Sequence, residues 1–147
     1  MATKTHQVRL EIKSRLASLS VENGKAAEIQ AVLNPVQVRN KKNHPATGRM
    51  AILWTESSQA LEAQGMAVKW QQNWAIDFPV EWSSDDDDTS EDLLDQIKVE
   101  LGSVLLPKIN GVKEQKLESL EVSYPANGSG SAMISVELVT VYIETLS

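Results

Sequence analysis

The chain has 147 residues, 41% hydrophobic and 23% charged, enough apolar material for one buried core and far from the composition of a disordered polymer. Without a single cysteine, it has no disulfide, thiolate zinc site or cysteine nucleophile, and assembly in a reducing cytoplasm is expected. The net charge of −6 divides unevenly: residues 1–69 carry 10 Lys/Arg against 5 Asp/Glu (+5), residues 70–147 carry 4 against 15 (−11), a balance unsuited to tight duplex binding.

The opening stretch MATKTHQVRLEIKSRLASL is charged throughout, so no secretion signal is expected, and nowhere do 18 apolar residues run together to span a membrane. Val8, Ile12, Leu16 and Leu19 form one stripe of a helix, with Thr5 as the expected N-cap and Asn23-Gly24 closing the region. Residues 27–39, AEIQAVLNPVQVR, read as a strand interrupted at Pro35, which cannot donate to a ladder. Asn40 to Gly48 is a loop by every local signal, and RMAILWTE, 49–56, suits a short, well-buried strand. SSQALEAQG, 57–65, is compatible with a loop or one helical turn.

VKWQQNWAIDFPVEW is the clearest segment. The even positions Val68, Trp70, Gln72, Trp74, Ile76, Phe78, Val80 and Trp82, apolar at all but Gln72, alternate with mostly polar residues, a period of two held for fifteen positions. At about 3.3 Å per residue such a strand spans roughly 50 Å, whereas a compact domain of this length is about 40 Å across. The strand must therefore bend, with Pro79 one place to do so, or leave the body as an arm that needs a partner.

Leu94, Ile97, Leu101 and Val104/Leu105 mark a second helix ended by Pro107, with Thr89 and Asp92 in a capping pattern and acidic residues at the positive end of the helix dipole. Gly102 inside it suggests a close backbone approach. A hairpin follows: Leu120, Val122 and Tyr124 on one side of its first strand, a turn at Asn127-Gly128, and a last strand apolar on both faces. On that strand Val136, Leu138 and Tyr142 lie opposite Val139, Val141 and Ile143, which makes it central or interfacial. The expected fold is a single α+β domain, 1–147, with an antiparallel or mixed sheet, two helices and the order α-β-β-β-α-β-β.

No catalytic motif stands out. Gly24-Lys25 lacks the upstream glycine of a phosphate loop, and Gly128-Ser129-Gly130-Ser131 is not a nucleophile elbow. Asp85, Asp86, Asp87 and Asp88 form the one candidate metal cluster, but calcium loops alternate their ligands and place a glycine for the sharp turn. Adjacent aspartates suit a solvated cap or a charged face better. No cofactor is expected. The basic run Arg39, Lys41, Lys42, His44 and Arg49 has no interleaved aromatic residue to stack on bases, so a wet loop or a protein contact is the reading. Trp70 and Trp74 belong in a core, while Trp82 at the strand end suits a rim.

An amphipathic helix, three strands, an Asp-rich loop leading into a helix (DDDDTSEDLLDQIKVELGSVLL) and a closing hairpin ending VELVTVYIET, with Tyr142 near its end, resemble the tail-terminator (tail-completion) proteins of long-tailed bacteriophages over nearly the whole chain. That resemblance implies a non-enzymatic virion protein, assembled in the host cytoplasm into a ring of its own copies, usually a hexamer. The ring would sit on the last ring of the tail tube protein, stop tube polymerisation and offer a docking surface to the neck or connector protein. DNA would pass through the lumen without specific binding. The family brings no catalytic residues, and its projecting loops correspond to Asn40–Gly48 and Ser57–Gly65. Candidate protein-interface residues are Arg39, Lys41, Lys42, Arg49, Trp82, Asp85, Asp86, Asp87 and Asp88, the aspartates facing a neighbour or the lumen. The Trp-rich strand and basic loop depart from the usual pattern and leave open another neck or tail-completion ring. Two further classes stand beside it: a monomeric acidic module docking through the Trp strand, and a metal-assisted hydrolase using Asp85–Asp88 with His44.

Overall fold

The computed structural model describes residues 3–45, 49–82, 87–125 and 131–146. In chain order these form α1 (Lys4–Ala17), β1 (Ala31–Leu33), β2 (Met50–Gln64), β3 (Ala67–Glu81), α2 (Asp87–Leu105), β4 (Glu114–Ser123) and β5 (Ser131–Thr145). This is the expected α+β order. The five strands make one mixed sheet in the order β1-β2-β3-β5-β4, with β1 parallel to β2 and every other pair antiparallel.

The long alternating segment becomes β3, and it is paired without a break along β5, from Ala67 opposite Thr145 to Glu81 opposite Ser131. Its even positions face the helices: Trp74, Ile76, Phe78 and Val80 are buried, matched across the ladder by Leu138, Val136, Ile134 and Ala132. Onto this face α1 lays Val8, Ile12 and Leu16 and α2 lays Leu94, Ile97, Leu101 and Leu105, all in one apolar cluster. Each such side chain contributes about 1.5–3 kcal/mol by leaving water, so the two helical stripes and the β3–β5 ladder hold the body together.

Polar groups at the element ends are satisfied by distant side chains. Thr3, not Thr5, caps α1, accepting from the His6 N–H at 3.1 Å. Thr5 instead lies inside the first turn and hydrogen-bonds the Tyr142 hydroxyl. The last turn of α2 holds no basic residue; Arg15 of α1 supplies the cation, donating to the Val104 carbonyl at 3.3 Å and also to Pro107. Gln115 donates to the carbonyls of Leu105 (2.7 Å) and Pro107 (2.9 Å). Free carbonyls and the negative end of the helix dipole are thereby met together. Buried Glu100 accepts from the N–H groups of Ala26 and Ala27, each at 2.8 Å, and pins the chain ahead of β1 to α2.

Several local expectations are corrected. Within 27–39 only Ala31–Leu33 is strand, because the Asn34 side chain accepts from the N–H groups of Val36 (3.0 Å) and Gln37 (2.8 Å) and turns the chain out of the ladder. The strand expected at 49–56 runs on to Gln64, and it is buried or half-buried only as far as Leu53. Residues 57–64 are therefore strand rather than loop or helix. Two bulges hide its periodicity: Glu56 and Ser57 oppose Asn73 alone, and Leu61 is extra between Ala60 and Glu62. Thr89 lies inside the first turn of α2 rather than before it. Asn127-Gly128 lies outside the described residues.

Gly102 meets no close neighbour; a Cβ added there has nothing within 4 Å. Gly102→Ala is expected to stabilise the fold by about 1 kcal/mol, the helix-propensity difference, read as a higher urea midpoint at unchanged slope. Burial pushes the Tyr142 phenol above its ordinary value of about 10. The folded chain then keeps a proton that the unfolded chain releases, so stability falls as pH rises from about 10. Tyr142→Phe removes that component, and its urea midpoint should decline less than the wild type's between pH 9 and 11.

Candidate functional site: an open sheet face and a projecting hairpin

The helices cover one face of the sheet, centred on β3 and β5. Lys4 N–H meets Glu144 of β5 at 2.7 Å, and the Arg9 guanidinium stands 5.8 Å from the ring centroid of Trp74. Among the described residues two surfaces remain open. The first is the second half of β2, exposed at every residue from Trp54 to Gln64. Its outer edge meets β1 only over Met50–Ile52, so among the described residues the rest of that edge has no strand partner. Large apolar side chains collect at the hairpin end: Leu61, Met66, Ile143 and Leu146 are each between 42% and 61% exposed. Exposed strand edges template pairing with other chains, and proteins ordinarily blunt them.

The hairpin is braced where it leaves the body. Gln72, 1% exposed on the helix face, donates to the carbonyls of Glu56 (3.2 Å) and Ser57 (3.3 Å), the two residues of the first bulge, and accepts from the Ser58 hydroxyl. Its own strand carbonyl at Asn73 takes a further bond at 2.9 Å. Beneath it Trp74 donates to buried Thr140 at 2.9 Å. A polar residue in an otherwise apolar row therefore completes the ladder that the bulge interrupts.

The second open surface is the odd-numbered face of β3 with its partners. Trp54 donates to Asp77 (3.1 Å) and Ser135 donates to the same carboxylate (2.8 Å), a ladder across β2, β3 and β5. Further along, a groove of about 670 Å³ crosses β3, β5 and β4, floored by Val139 and Val141 and walled by Glu56, Glu114, Glu118 and Glu137. Lys116 is the one cation in its lining and is held by Glu118 at 3.2 Å. The side-chain oxygen of Asn73 in this groove is buried without a hydrogen-bond partner.

The expected interface residues do not form one patch. Arg39, Lys41 and Lys42 stand exposed on two short 3-10 turns, Gln37–Arg39 and Lys41–Asn43, with no ion pair among the described residues. Arg49 lies apart, paired with Glu28 at 3.1 Å. Trp82 is half-buried against the core and meets Tyr124 edge to face at 5.5 Å. Asp87 opens α2 and Asp88 is exposed in its first turn; Asp85 and Asp86 lie outside the described residues. His44 is bonded within its own loop, to the Val38 carbonyl at 2.6 Å, and forms no ion pair among the described residues. No cluster of three or more metal-ligating side chains occurs among the described residues, and no helix is long and apolar enough to cross a membrane.

Sequence reasoning did not single out the groove. Its signal was the doubled apolar pattern of the last strand: Val139 and Val141, opposite the core-facing Leu138 and Tyr142, are the groove floor. No protein-family model matches this chain, and no curated protein matches it.

Gln72→Ala leaves the bulge carbonyls without their donor. It should cost about 1–3 kcal/mol and raise amide exchange over residues 55–60 well above any change in α1 or α2, measured by hydrogen–deuterium mass spectrometry.

Proposed function

We propose that this protein is a non-catalytic structural subunit that assembles with its own copies into a ring, in the manner of the tail-terminator proteins of long-tailed bacteriophages. The ring caps the head-proximal end of a tail tube, stops its polymerisation and offers the neck a docking surface, while DNA passes through the lumen unbound. One observation carries this reading. A fifteen-residue strand is built, bulged and hydrogen-bonded into place, yet eleven of its residues, Trp54 to Gln64, are exposed in the single chain.

An ordered, unprotected edge with apolar side chains at its end suits burial against another protein. Leu61 and Met66 supply apolar contact with the tube, and the open sheet face and the basic turns supply contacts between copies. Heterologous contacts of that kind close into rings when the rotation between copies permits.

The test is electron microscopy of the purified protein mixed with polymerising tube protein. Particles should sit at one end of each tube, and tube lengths should stop growing. Leu61→Asp with Met66→Asp should abolish end binding while the circular dichroism spectrum stays unchanged. A wild-type protein that stays monomeric and leaves tube ends bare refutes the reading in favour of a monomeric binding module.

A further inference from the structure

We infer that the basic turns of one copy dock into the acidic groove on the open sheet face of the next copy. This rests on the ring reading above and specifies its subunit contact.

The basic element is exposed yet tightly organised. Asn34 binds two backbone N–H groups at its start, Asn40 accepts from the Lys42 N–H at 3.0 Å, Asn43 donates to the Gln37 carbonyl at 3.0 Å, and His44 closes onto Val38. The result is a small knob held by its own backbone and side-chain hydrogen bonds, and its Arg39, Lys41 and Lys42 side chains form no ion pair among the described residues. Val36, 73% exposed, adds an apolar tip to Arg39, Lys41 and Lys42. A preorganised contact element loses little freedom on docking.

The groove has the complementary chemistry. Glu56, Glu114 and Glu137 have no cation paired to them among the described residues, while Val139 and Val141 give it an apolar floor. Small-molecule pockets are mostly apolar with a few polar groups; this groove is open and walled by carboxylates, which favours a cationic protein element.

The positions of knob and groove select a second copy. The knob follows β1 at one end of the sheet order; the groove starts at Glu56 on β2 but carries its other carboxylates, Glu114, Glu118 and Glu137, on β4 and β5 towards the other end. Two different patches on opposite flanks give a head-to-tail contact, which propagates from copy to copy. Opposite charge sets register and encounter rate, and the contact weakens as salt shortens the Debye length.

Two measurements test this. A mixture of isotope-labelled and unlabelled wild-type protein is treated with a zero-length carbodiimide cross-linker at low salt, alone and on tail tubes, and digested for mass spectrometry. Cross-links between copies should join Lys41 or Lys42 to Glu114, Glu118 or Glu137. In parallel, Lys41→Glu with Lys42→Glu and, separately, Glu114→Lys with Glu137→Lys should each require a roughly tenfold higher concentration to assemble, and mixing the two variants should restore assembly. If both variants assemble like the wild type, or the cross-links join other segments, the knob-and-groove contact is wrong and the ring reading survives. If wild-type protein yields no inter-copy product on tubes whose ends it visibly caps, the contact is likewise wrong; if it leaves tube ends bare, the ring reading falls and takes this contact with it.

Discussion

The unbroken ladder between β3 and β5 is the constraint on which the rest of the molecule depends. Fifteen residues of each strand face one another, Ala67–Glu81 against Thr145–Ser131. A slip of one residue would turn Trp74, Ile76 and Phe78 away from the helices and bring Asn73, Ala75 and Asp77 into the core. Alternation thus fixes the register, and the register fixes both faces at once. One face receives α1 and α2. The other is left to display whatever the intervening residues are, here carboxylates, amides and a short row of valines.

The second consequence concerns β2. It is tied to β3 by pairing along its length, so wherever β3 goes β2 must follow, although the helices lie over β3 and β5. The strand leaves the covered region at Trp54, and its further half becomes an edge with no strand partner among the described residues. Such an edge could slip or twist apart. Gln72 counters this by replacing the ladder bonds lost at the bulge, and the pairs Trp54–Asp77 and Asp77–Ser135 tie three strands on the opposite face. These hydrogen bonds hold the exposed hairpin to the body of the sheet.

Charge distribution carries the same logic outward. The basic residues at 39–42 stand on a hydrogen-bonded knob, and the acidic residues of β4 and β5 gather around an open groove. Where opposite charges do meet within the chain, as Arg49 with Glu28, the pair is surface-exposed and of small energetic weight. Arg15 is different: its guanidinium completes the end of α2, so that one helix depends on the other for its terminal hydrogen bonds.

By itself the sequence determined the two helical stripes, the long strand, the order of elements and the two-faced character of the last strand. All of these are periodic patterns of apolar residues, and periodicity survives in one dimension. It also required that strand to bend or to leave the body, because an uninterrupted strand of that length exceeds the width of the body. It hid β2 beyond Glu56, since two bulges break the alternation and an exposed strand has no apolar face to announce it. It overextended β1, because the side chain of Asn34 decides there, and it suggested a close approach at Gly102 where there is open space. Only the tertiary structure decided that Gln72 repairs a bulge, that Glu100 holds the chain before β1, and that carboxylates from β2, β4 and β5 line one groove. Those arrangements join residues from distant parts of the chain through hydrogen bonds and strand order, and the spacing of residues along a sequence does not encode which strands become neighbours.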